Sequence, residues 1–203
     1  KRSALKKWGM TKTSLFFSQR NSAVLYDLWT RINNIQNPAI RKKLLFCFTA
    51  ILPRSSKRYQ WSNKAPLNAA NQNYYIAPVF YEWNVYDLFL RKIDAVQRSD
   101  NMIFNDRKKT NVEQFYKIKS ADNLDHLKDK SVDLVFTDPP FGSNIFYSDM
   151  NLFQEAWIGQ STINITEAVI RTTVNKEEKL NSKKVYKDIL KKSFKEAYRI
   201  LKK

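Results

Sequence analysis

The sequence predicts an α/β chain: a mainly helical region over residues 1–98, then part of a parallel sheet with flanking helices over 112–203. Three observations predict it. Apolar residues recur at helical spacing through the first half, a short unbroken apolar run occupies 132–137, and the polar stretch SDNMIFNDRKKTN at 99–111 separates the two patterns.

In the first half, Ser18 or Ser22 caps a helix with Val24, Leu25, Leu28, Trp29, Ile32 and Ile35 on one face. Asn37-Pro38 opens a second helix with proline at its first position, and Pro53 closes it. Residues 54–73 read as loop and Tyr74–Trp83 as an extended aromatic segment. Asn84 caps a third helix, with Val85, Leu88, Phe89, Ile93 and Val96 inward. In the second half, Gln114–Ser120 and 132–137 read as strands. Ser148 caps a short helix bearing Met150, Phe153 and Trp157, which stops near Gly159. Residues 160–181 read as irregular, and Ser182 caps a long amphipathic helix with Val185, Ile189, Phe194, Ala197 and Leu201 on one face.

The run SVDLVFTDPPFG carries the chemistry. Val132, Leu134, Val135 and Phe136 suit a buried parallel strand. Pro139 cannot donate to a ladder, so the strand must stop at about Asp138. A residue preceding proline is pushed into extended geometry, which applies to Asp138 and again to Pro139. Pro140 completes a stiff tip, and Gly142 lets the chain turn away. The tip presents the Asp138 carboxylate, the Pro139 carbonyl and the Phe141 ring. Two acceptors beside a flat apolar face suit a planar heterocycle bearing an exocyclic amine: the acceptors take the amine hydrogens while the ring stacks on the base. An ordinary strand-to-loop turn uses the same residue types.

TDPPFG resembles the catalytic motif of S-adenosylmethionine-dependent amino-methyltransferases, whose pattern is Asp/Asn/Ser-Pro-Pro-aromatic. Residues 14–29, 44–54, 79–89, 121–157 and 196–203 are together similar to the adenine-specific DNA methylases. The resemblance implies a partial Rossmann-like methyltransferase sheet in the C-terminal half. It also implies methyl transfer to adenine N6 of a flipped DNA base, with Asp138, Pro139, Pro140 and Phe141 as the catalytic tip. Phe141 replaces the commoner tyrosine and keeps the stacking face. S-adenosylmethionine is the implied cofactor, with Asp122, Asn123 and Asp138 as its candidate contacts; Asp122 alternatively caps the turn that follows it. Phe141, Gly142 and Tyr147 are base-pocket candidates, while Phe146 reads as packing. The same tip serves cytosine-N4 DNA methylases and RNA guanine-N2 methylases, and a non-catalytic nucleic-acid-binding remnant is a further reading.

The remnant reading rests on glycine. Cofactor sites of this kind need a glycine-rich turn after the first strand, and Gly9, Gly142 and Gly159 are the chain's three. The expectation is therefore a fragment with an incomplete cofactor site, inactive alone. One cysteine (Cys47) and one histidine (His126) exclude a disulfide framework and a Cys/His metal site. Cys47 reads as a buried small hydrophobe, His126 as a surface residue, and Arg171 as solvated. The longest apolar run, 44–52, is too short to span a bilayer, so the expected setting is cytoplasmic without a membrane partner. A net charge of +17 fits nucleic acid, DNA first, although scattered lysines also serve solubility alone.

Overall fold

A computed structural model describes residues 12–63, 76–109, 113, 115–143, 147, 151–159, 167–172 and 174–202. The chain divides into two units, one of residues 1–112 with 149–162, the other of 113–148 with 163–203. The expected roles of Gln114, Phe146, Ser148 and Met150, and of the Phe153 side chain, lie outside the described residues, as do parts of 54–83 and 160–181.

The first unit is helical. A 3-10 turn (Thr13–Phe16) leads into α1 (Gln19–Asn33), α2 (Pro38–Ser55), α3 (Val85–Lys109) and the short α4 (Leu152–Ile158). Local chemistry sets the helix starts. Ser18 Oγ accepts from the Asn21 amide, and Asn37 Oδ1 from Ala39 and Ile40 with Pro38 at the first position. Asn84 Oδ1 accepts from Tyr86 and Asp87. Pro53 does not end α2, which continues to Ser55: the proline falls in the final turn, and Ser55 Oγ closes that turn by donating to Ile51 O. The polar stretch 99–111 is likewise helical as far as Lys109.

Packing follows the apolar faces. Leu25, Leu28 and Ile32 of α1, Phe48, Ile51 and Leu52 of α2, and Val85, Leu88 and Phe89 of α3 form one core with Phe16, Phe17 and Cys47. Trp157 of α4 completes it, edge-on to Phe48 at 5.3 Å and to Phe17 at 6.4 Å, while Trp29 Nε1 donates to Trp157 O at 2.7 Å. Sequence reading placed this helix in the α/β half; its tryptophan instead belongs to the helical core. Gly159 ends α4 at φ +68°, the left-handed position where glycine costs least. Buried Asn21 donates to Ser55 O and Trp83 O, tying three segments together.

The second unit corrects the expected fold. The described residues are mostly helical and contain no sheet, so the partial Rossmann-like sheet is not present. Residues 115–120 form no strand, and Phe115, Tyr116 and Ile118 are exposed. In 132–137 only Val132 pairs, through one parallel bridge to Leu201. Leu134 is 78% and Phe136 95% exposed, where a buried strand was expected.

What fixes the segment at its two ends is α5 (Lys176–Ile200). The segment is anchored at Val132 to the end of that helix, where Val132 N donates to Ile200 O and Lys202 N to Val132 O. Its other anchor is Tyr186, whose hydroxyl donates to Pro140 O at 2.7 Å. Fifteen helical rises separate Leu201 from Tyr186, about 22 Å. Eight residues from Val132 to Pro140 reach at most about 29 Å. The two anchors therefore limit how far the segment can fold back on itself, with or without a neighbouring strand.

α5 itself starts seven residues earlier than expected, capped by Asn175 where Ser182 was the expected cap. Asn175 Oδ1 accepts from the Glu178 amide, and Ser182 lies inside the helix, donating to Lys179 O and accepting from the Arg171 amide. Val185 and Phe194, expected inward, are exposed. Among the described residues no helix is long and apolar enough to cross a membrane.

Phe46 and Phe48, two positions apart on α2, test the core assignment, being 61% and 0% exposed. Phe48→Ala should destabilise the protein by about 3–5 kcal/mol. Phe46→Ala should stay within about 0.5 kcal/mol of wild type, both read from urea unfolding followed by tryptophan fluorescence.

Candidate functional site

The tip 137–142 is built by fixing some of its polar groups and leaving others open. Tyr186 takes the Pro140 carbonyl, and the Ile170 amide donates to Gly142 O at 3.2 Å. Gly142 is buried at φ +66°, and a Cβ there would meet Ile170 Cδ1 at 3.2 Å, so the backbone sits against this neighbour in a conformation that suits glycine. The Asp138 carboxylate and the Pro139 carbonyl have no hydrogen-bond partner among the described residues. Of the pocket candidates besides buried Gly142, Phe141 is 64% exposed and Tyr147 is also exposed. Two acceptors on consecutive residues, next to an open aromatic face, can take both hydrogens of an exocyclic amine and stack its ring.

Asp122 and Asn123 lie elsewhere in the same unit. They line an open cleft of about 490 Å³ with Asp125, Lys192, Glu196 and Arg199. Ser120 Oγ donates to the Asp122 carboxylate, and the Asp125 amide to Asn123 Oδ1. These are turn-stabilising bonds, and they leave each side chain further acceptor capacity. All six lining residues are polar or charged, so the cleft offers acceptors but no apolar wall for a stacked adenine. On their own these residues do not fit S-adenosylmethionine. Among the described residues no cluster of His, Cys, Asp and Glu is placed to hold a metal ion.

The cleft floor is an ion-pair network around Arg199. Its guanidinium donates to Leu124 O, Leu127 O, Asp129 and Glu196. Glu196 also accepts from the Leu124 amide at 2.9 Å. The Arg199 guanidinium first, and then that amide, hold the Glu196 carboxyl at about 2, below its ordinary 4.5. Lys119 lowers Asp125 in the same way. His126 is exposed beside Asp125, Arg171 is exposed, and burial raises the Cys47 thiol.

Neither a protein-family model nor a curated protein nor a solved structure matches this chain.

Sequence reading missed Tyr186, which positions the tip, and Glu196 and Arg199, which shape the cleft. Tyr186 carried no signal beyond falling on the face of α5 shared with Ile189. For Asn175 a signal existed, since Asn-x-x-Glu opens a helix as a cap with an acidic third residue.

Acid should unfasten the cleft. A carboxyl held below its ordinary value contributes fully above about pH 4.5, and its contribution is lost as pH falls through about 2. The Leu124 amide resonance should titrate with a midpoint near 2 in an NMR pH series. In Glu196→Ala that titration should vanish, and Arg199→Lys should move the midpoint up toward 4.5, because an ammonium cannot reproduce the forked contact.

Proposed function

We propose that this chain is the base-holding part of a nucleic-acid amino-methyltransferase, with adenine N6 of DNA as the first target. The observation that carries the reading is the pair of unengaged acceptors, Asp138 and Pro139 O, beside exposed Phe141 on a tip held by Tyr186. Asp138 and the Pro139 carbonyl would accept the two amine hydrogens and turn the nitrogen lone pair out of conjugation with the ring. Phe141 would stack on the extruded base and offset part of the few kcal/mol that extrusion costs. Pro140 would keep both acceptors from rotating away.

The methyl donor in this reading is S-adenosylmethionine. Asp122 and Asn123 would supply acceptors to it at most, and the rest of its site requires residues other than those of the charged cleft. Cytosine N4 and guanine N2 carry the same amine hydrogens and would meet the same tip. The charged cleft without an apolar wall favours a second reading, a nucleic-acid-binding module that holds a base and performs no transfer.

Oligonucleotides that differ only in a central adenine or purine, which lacks the amine, test the tip. Wild type should bind the adenine strand more tightly. Asp138→Ala should abolish that preference with the fold intact by circular dichroism. Phe141→Ala should weaken binding of both strands by about 5- to 150-fold, and Phe141→Tyr should not, given about 1–3 kcal/mol per stacked base. Equal affinity of wild type for the two strands would remove the amine site. Labelled methyl transfer to DNA that is lost in Asp138→Ala separates the enzyme from the binding module.

A further inference from the structure

Helix α5 carries, away from its packed face, a stripe of cations without an ion-pair partner among the described residues. At 3.6 residues per turn Lys176, Lys183, Lys187 and Lys191 project to one side, with Lys184 and Lys195 at its margin. All six are exposed, and none has an ion-pair partner among the described residues. Leu180, Phe194 and Tyr198 fall on the same side, Tyr198 at 73% exposure. The acids of the helix are displaced from it: Glu177 and Asp188 at the margin, Glu178 and Glu196 opposite.

We infer that this stripe is a docking surface for the phosphate backbone of nucleic acid. From Lys176 to Lys195 it measures about 28 Å, the length of roughly eight base-pair rises of duplex axis at 3.4 Å each. Unpaired lysines release counterions from phosphates without first losing an internal partner. Exposed Phe194 and Tyr198 add stacking or sugar contacts at one end. A bilayer is the poorer partner. An interfacial helix needs a free apolar face, and the apolar face of α5 is used within the unit, by buried Ile200 and half-buried Ile189, Leu190 and Ala197. The inference rests on the nucleic-acid part of the reading above and adds where the backbone is gripped; the same helix holds the tip through Tyr186.

The test compares two triple variants of the whole chain, binding a fluorescent 20-base-pair duplex over a salt series. Lys183→Gln/Lys187→Gln/Lys191→Gln should lower affinity at least tenfold at low salt. It should also flatten the plot of log affinity against log salt by about 2.7, from roughly 0.9 per phosphate contact. Lys12→Gln/Lys42→Gln/Lys108→Gln removes the same charge from the other unit and should change the slope by less than about 1. Equal slope changes in the two variants would overturn the stripe and assign binding to diffuse charge. Binding to phosphatidylserine vesicles without binding to duplex would overturn it in favour of a membrane surface. Unchanged helicity by circular dichroism keeps either result interpretable. Because the duplex holds no extruded base, loss of the adenine preference described above sinks the methyltransferase reading and leaves the stripe standing. Equal slopes here do the reverse.

Discussion

The unit that carries the tip depends on the guanidinium of Arg199. Arginine presents five donors in a rigid fork, and here they are spent on the carbonyls of Leu124 and Leu127 and the carboxylates of Asp129 and Glu196. That set binds the turn-rich segment 121–131 to the last turn of α5. The helix end gains in return, because the amides of Lys130, Ser131 and Val132 donate to the otherwise unsatisfied carbonyls of Arg199 and Ile200. Lys130 adopts φ +51°, a position a lysine enters only when its surroundings require it. Once Val132 is registered against Leu201, the path toward Asp138 is limited by chain length and the second anchor at Tyr186.

The tip is consequently a rigid element without a sheet beneath it. Prolines restrict its dihedrals and two hydrogen bonds immobilise its carbonyls at 140 and 142, while the acceptors at 138 and 139 stay open. Open acceptors in water are not costly, since solvent satisfies them; they become useful only when a ligand replaces that water with two amine hydrogens and a stacked face. Base and backbone would be recognised by different parts of the same unit, the base by the tip and the phosphates by the lysines of α5. Stacking and amine contacts are short-ranged and selective, whereas phosphate contacts are salt-dependent and carry no sequence information.

Much of the first unit was legible because its determinants are local. Ser18, Asn37-Pro38, Asn84 and Gly159 act within a turn of their own positions, and the faces of α1 and α3 follow from spacing alone. The buried state of Cys47 was legible from its apolar neighbours. Trp157 was misassigned because nothing local distinguishes a tryptophan that packs on the following elements from one that returns to a distant core. In the second unit Gln114–Ser120 was read as a strand and 132–137 as a buried one. Such runs report only that a segment could be covered on both faces. Whether neighbouring strands cover it is a long-range matter, and here no ladder forms among the described residues and Phe115, Tyr116, Ile118, Leu134 and Phe136 are exposed.

The sequence by itself determined the conformational stiffness of Asp138-Pro139-Pro140, the cap chemistry, the helical periodicities and the charge, because covalent geometry and nearest neighbours suffice for each. Only the tertiary structure decided which of the tip's acceptors are free, which helix holds it, and that no ladder forms among the described residues of 132–137 beyond Val132. Those outcomes depend on Tyr186 and Arg199 meeting residues 46 and more positions away, and contacts at that separation leave no mark on local sequence pattern.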